Sequence, residues 1–166
     1  MIVVSDSTPL ISLVKAERLD LLQSLFGEVA VPEAVFQELT SNDSFRNEAD
    51  LIKNSGFLKV VEVGDRDRVE FLRRVSGLDR GESEAIIYAD ETKADLLLMD
   101  ELAGRKVAKN MRLPITGFVG IIITAHKRQL IRESEAEEIF DRIRKAGRHI
   151  SERLIDDAMS IIRCDK

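Results

Sequence analysis

The stretch IVVSDSTPLISLV, residues 2–14, decides the fold. Ile2, Val3 and Val4 form a short β-branched run, the composition of a strand buried on both faces. Thr8-Pro9 then sets a capping hydroxyl ahead of a first-turn proline, and Leu10, Leu13, Val14, Leu21, Leu22 and Leu25 continue as an apolar stripe at helical spacing. Between strand and helix stands Asp6. The same grammar recurs along the chain. Short apolar runs at Ile2–Ser5, Glu28–Val31, Leu58–Val63, Leu96–Met99 and Pro114–Thr116 alternate with helical patterns, among them Glu33–Leu39 after Pro32, Glu82–Glu91 after Gly81, and Phe118–His126 after Gly117. That alternation predicts an α/β fold in three layers, α/β/α, around a central parallel sheet of about five strands. Phe118–His126 is apolar nearly all round, which predicts packing on both sides. Two amphipathic helices, about Ser134–Ala146 and Ser151–Ile162, predict a C-terminal hairpin around Gly147.

With 166 residues, one domain is the simplest organisation, with a core over about 1–130 and the helical hairpin over about 133–164. At 44% apolar and 33% charged, the chain can bury a sizeable core. Its single cysteine, Cys164, cannot form an internal disulfide, and with only His126 and His149 beside it there is no zinc-finger ligand set. No apolar stretch is long enough to span a bilayer or serve as a secretory leader, so the reading is a cytoplasmic protein without a membrane partner. Neither histidine has a Ser or Cys placed to make a nucleophile.

In an open parallel sheet, ligands gather beyond the carboxyl ends of the strands. Asp6 follows the first strand directly, and Asp100 follows the all-apolar Leu96–Met99. Glu38 lies late in the helix after the second strand; Glu82 and Glu84 lie in the first turns of the helix after Gly81. Each acid has an ordinary structural use: Asp caps helices and turns, Glu compensates a helix dipole, and Glu38 taken alone is a surface glutamate. Four acids converging on one rim are different, because they repel unless a divalent cation lies between them. Oxygen-only clusters suit Mg²⁺ or Mn²⁺, which activate water and stabilise a transferring phosphoryl group.

The blocks VVSDSTPLISL, VPEAVFQEL, GESEAIIYA, LLLMDELAGRKVA and LPITGFVGIII, in this order over about residues 2–125, resemble the PIN-domain nucleases. The likeness is strongest to their DUF3368-type branch, near the toxins of prokaryotic toxin–antitoxin pairs. It implies a PIN-like fold with Rossmann-like topology and an Mg²⁺- or Mn²⁺-dependent endoribonuclease. The family's acidic quartet falls on Asp6, Glu38, Glu84 and Asp100, with Asp6, Glu84 and Asp100 on the metal. The acid before Ala-Ile is the usual third ligand, which favours Glu84 over Glu82. Ser7, Thr8, Glu82, Glu101 and Thr116 fall in supporting positions. The partners implied are RNA, a small antitoxin and a second copy of the chain.

A net charge of −5 is unusual for a polyanion binder. The segment Leu102–Arg132 nevertheless contains no acid and seven basic residues, four of them Arg105, Lys106, Lys109 and Arg112, which begin just after Asp100 and are candidates for holding phosphates. The alternative is that these are solvated helix faces. With one tyrosine and no tryptophan, base stacking is expected to matter less than backbone recognition. A receiver domain lacks its acceptor after the third strand, and a haloacid-dehalogenase phosphatase lacks its second Asp, since that position is Thr8. The remaining rival is a PIN-like binding module without hydrolysis.

Overall fold

A computed structural model describes residues 1–165. Its five strands are β1 (Val3–Ser5), β2 (Val29–Pro32), β3 (Leu58–Val61), β4 (Leu96–Leu98) and β5 (Ile115–Thr116). They form one sheet in the order β3-β2-β1-β4-β5, with every pairing parallel. The helices are α1 (Ser7–Lys15), α2 (Asp20–Phe26), α3 (Glu33–Thr40), α4 (Arg46–Asn54), α5 (Arg66–Ser76), α6 (Arg80–Thr92), α7 (Leu102–Asn110), α8 (Phe118–Lys127), α9 (Glu133–Lys145) and α10 (Glu152–Cys164), with one 3₁₀ turn at Asp43–Phe45.

The expected three-layer α/β/α architecture is present, and the period of the strands explains why. Successive side chains point to opposite faces, so Val3 and Leu98 enter a core with Leu10, Leu13, Phe118 and Phe140. Val4, Leu97 and Met99 enter a second core with Ala85, Ile86, Ala89 and Ala108. A strand covered on both faces is mostly apolar, hence the unbroken LLLM run; the buried Ser5 at the end of β1 is tolerated because its hydroxyl donates to the Asp6 carbonyl at 2.8 Å. Helix α8 buries Phe118, Ile121, Ile122 and Ala125 in the first core, and its partly buried Val119 and Ile123 pack against that core as well. The α9–α10 hairpin closes this layer, with Phe118 and Phe140 edge to face at 6.3 Å.

Strand limits differ from the sequence expectation by one or two residues. The single apolar stripe over residues 10–25 is two helices. Glu17 takes φ 58°, and the Arg18 N–H bonds back to the Leu13 carbonyl at 2.9 Å, closing α1 before α2 starts. Helices α4, α5 and α7 carry strongly charged outer faces that hid their short apolar stripes. Among the described residues no helix is long and apolar enough to cross a membrane.

Candidate active site at the sheet switch point

The strand order reverses direction at the β1–β4 pair, the position where open α/β sheets leave a crevice for ligands. Ser5 pairs with Leu98 in parallel register, so Asp6 and Asp100 leave adjacent strands at the same edge. The Asp6 N–H donates to the Leu98 carbonyl at 2.9 Å, which ties the two strand ends together.

Asp6 occupies the position preceding α1 but does not cap it: its carboxylate accepts no helix N–H. It is 1% exposed, and neither carboxylate oxygen has a hydrogen-bond partner. An unpaired buried carboxylate is costly, and its proton affinity shows the cost. Its pKa is raised to about 7, first by burial and also by the neighbouring charges of Glu82, Asp79 and Glu38, with the Ser7 backbone N–H lowering it only partly. Asp100 is held through one oxygen, which accepts the Phe118 N–H at 2.9 Å; its other oxygen is buried without a partner. Its pKa is raised by burial, against the lowering effect of that N–H and of the Arg105 and Arg148 cations. Gly117 makes the arrangement possible, because a Cβ there would collide with Asp100 Oδ1 and crowd the Arg105 guanidinium.

Two further acids reach the rim from helices. Glu38 accepts the Ser7 hydroxyl at 3.1 Å, and its other oxygen lies over Gly81. Burial and the charge of Asp79 raise its pKa against the Ser7 bond. Glu82 belongs to a capping box with Asp79: the Glu82 N–H donates to Asp79 Oδ1 at 2.8 Å, and the Asp79 N–H donates to Glu82 Oε2 at 2.9 Å. Burial raises the pKa of Glu82, and Asp79, Glu101 and Glu38 add to the rise.

Glu84, which the resemblance puts on the metal, has both carboxylate oxygens engaged by the protein. It is buried, and Oε2 accepts the Ala34 N–H at 2.9 Å and Oε1 accepts Arg80 Nε at 3.3 Å. Pro32, which precedes α3, has no side-chain oxygen to cap it, so Glu84 supplies the missing acceptor. The carboxylate of α6 that acts electrostatically on Asp6 is Glu82. Asp79, which the motif blocks do not include, belongs with these acids; its D-x-x-E spacing to Glu82 is the sequence signal for it.

The supporting positions separate. Ser7 is buried on Glu38, and Thr8 lines a cavity of about 390 Å³ with Ser12, Asp100, Glu101 and Phe118. Glu101 is exposed at the start of α7. The Thr116 hydroxyl lies against Gly120 at the start of α8. Of the four basic candidates, Arg105 is at the rim, its guanidinium donating to the Met99 carbonyl at 2.8 Å. Lys106, Lys109 and Arg112 are exposed and form no ion pair among the described residues. The remainder of the basic segment lies elsewhere: Arg128 donates to the Leu25 carbonyl at 2.9 Å, at the end of α8 about 14 Å from its start at 1.5 Å per residue.

The donor set is all oxygen, with orphaned buried oxygens on Asp6 and Asp100, which is the chemistry of a hard divalent cation site. Among the described residues, no three acid, histidine or cysteine side chains already close into a ligand cage. A family model described as PIN domain, DUF3368, matches residues 2–163. No curated protein matches the chain at a significant level.

Proposed function

Because the chain belongs to the PIN-domain family, whose members are nucleases as a class, we propose that it is an endoribonuclease hydrolysing RNA phosphodiester bonds with Mg²⁺ or Mn²⁺. The observation that carries this reading is the set of buried carboxylate oxygens without partners, both of Asp6 and Oδ2 of Asp100, at the β1–β4 switch point. Asp6, Asp100 and Glu82 would hold the ion, with Glu38 completing the rim; Glu84 would act on the fold by capping α3. When bound, the ion supplies charge neutralisation on the phosphoryl oxygens and a more acidic water.

The chain's own residues supply the rest. Hydrolysis forms one P–O bond from water and breaks another; the attacking water loses a proton and the leaving oxygen takes one up from solvent. Glu38, held by Ser7 at the mouth and with a raised proton affinity, is placed to accept that proton. The Phe118 N–H fixes Asp100, and Gly117 leaves room for it. Arg105 adds positive charge beside the reacting phosphate. The same reading includes a cytoplasmic setting, a small antitoxin partner that blocks the acidic rim, and a homodimer.

Labelled structured and unstructured RNAs, incubated with Mg²⁺, Mn²⁺ or EDTA, test it. Wild-type protein should cleave only with metal, and Asp6→Asn and Asp100→Asn should each lose at least about 100-fold. Cleavage surviving both substitutions would reject the site. Wild-type protein that cleaves no RNA would favour a non-hydrolytic binding module.

A further inference from the structure

The loop between α9 and α10 turns at Gly147, φ 73°, and carries Arg148 to the acidic rim. Arg148 lines two cavities. One, about 290 Å³, lies among α1, α3 and α4 and is walled by Val14, Leu39, Phe45, Ile52 and Glu38. The other is the 390 Å³ cavity beside Asp100, Thr8 and Phe118. Arg148 is the residue common to both linings, so it stands on the saddle between them. Its charge reaches Asp100.

Its neighbours on the hairpin are satisfied. Arg142 donates to the Ala16 carbonyl at 3.0 Å, and Arg144 bonds Asp141 at 2.7 Å and both oxygens of Glu152 at 2.9 Å. Arg148 is a half-buried residue whose guanidinium has no hydrogen bond or ion pair among the described residues. Arg105, the other cation at the rim, is already committed to the Met99 carbonyl. An unpaired guanidinium on a half-buried residue is a five-donor fork without its acceptor. A polyanion crossing a rim that carries Asp6, Glu38, Glu82 and Asp100 needs a cation between those acids, and this fork matches phosphate in two-bond geometry.

We propose that Arg148 binds a backbone phosphate of single-stranded RNA passing from one cavity to the other, seating the strand across Asp6 and Asp100. This rests on the nuclease reading and deepens it: the substrate at the rim is unpaired, with the partly apolar cavities on either side receiving unstacked bases. Arg148 is thus a substrate-binding residue delivered by the C-terminal hairpin, outside the motifs that mark the acids.

The experiment is fluorescence anisotropy of a labelled, unstructured 12-nucleotide RNA, with Ca²⁺ replacing Mg²⁺ to suppress turnover, across a salt series. Arg148→Ala should bind about tenfold or more weakly, and its salt slope should fall by about 0.7. Arg148→Lys should recover the slope but only part of the affinity, since a point charge lacks the fork. Arg74→Ala removes an exposed charge on α5, away from the rim, and should change neither; thermal melts confirm that each variant folds. Unchanged or tighter RNA binding by Arg148→Ala would overturn the proposal and mark Arg148 as a plug on the acids. A loss without a slope change, an equal loss in Arg74→Ala, or no RNA binding by wild type would overturn it too. Failure of the nuclease reading is separate: it shows as absent cleavage in Mg²⁺ and Mn²⁺, whatever the binding arm reads.

Discussion

Asp6→Asn should stabilise this protein when metal is withheld, and only above acid pH. In the fold the Asp6 carboxyl titrates at about 7, whereas an unfolded aspartate titrates near its usual 3.8. Below about pH 4 both states hold the proton and Asp6 has no effect. Between about pH 4 and 7 the folded state holds one proton more than the unfolded chain, so stability falls by about 1.4 kcal/mol per pH unit. Above about pH 7 the full cost stands at about 4 kcal/mol, three pH units at 1.36 kcal/mol each. The asparagine keeps the size and polarity of the protonated acid but cannot ionise. For a chain of this length, about 4 kcal/mol corresponds to a Tm difference of about 10 °C. Thermal unfolding by circular dichroism in EDTA should therefore give Asp6→Asn a Tm about 10 °C above wild type at pH 8.5, and near equality at pH 4. Parallel pH profiles for the two proteins, or a less stable Asp6→Asn at pH 8.5, would refute the claim that Asp6 is ionised at a cost in the empty site.

Metal should reverse that order: saturating Mn²⁺ should raise the Tm of wild type, with the gain growing with concentration, and raise Asp6→Asn little, which a melt series in Mn²⁺ measures. Glu84→Ala should lower stability by about 1 kcal/mol through loss of the α3 cap while cleavage stays within a few-fold, as denaturant titration and an RNA cleavage assay would show. Glu82→Gln, which can keep its bond to the Asp79 N–H, should leave stability nearly unchanged and reduce cleavage; the opposite assignment between the two glutamates would restore Glu84 as the third acid. Gly117→Ala should displace Asp100 and reduce kcat for cleavage by about 100-fold, read in single-turnover cleavage assays.

The central strands were legible because a strand covered on both faces is mostly apolar, as LLLM is, whereas the edge strand β3 shows through its β-branched run although Lys59 and Val60 are exposed. The acids at β1 and β4 were legible for a related reason: an Asp that ends such a strand must emerge at the rim. What local pattern could not separate was Glu82 from Glu84. Both lie in the first turns of one helix, and only the packing of α6 on α3 determines which carboxylate meets Ala34 and which faces Asp6. The basic segment was legible as charge but not as a surface, because α8 carries Arg128 away from the rim that Arg105 occupies. Arg148 left no trace in sequence, since it enters through tertiary closure of a hairpin whose charges otherwise resemble a solvated face.

The central claim is that one hard divalent cation is shared by carboxylates from β1 and β4. Crystals grown with Mn²⁺ and measured at its absorption edge address it most directly. An anomalous peak between Asp6 and Asp100 is the result this account predicts; a fully occupied Mn²⁺ elsewhere, with both carboxylates left unligated, would contradict it.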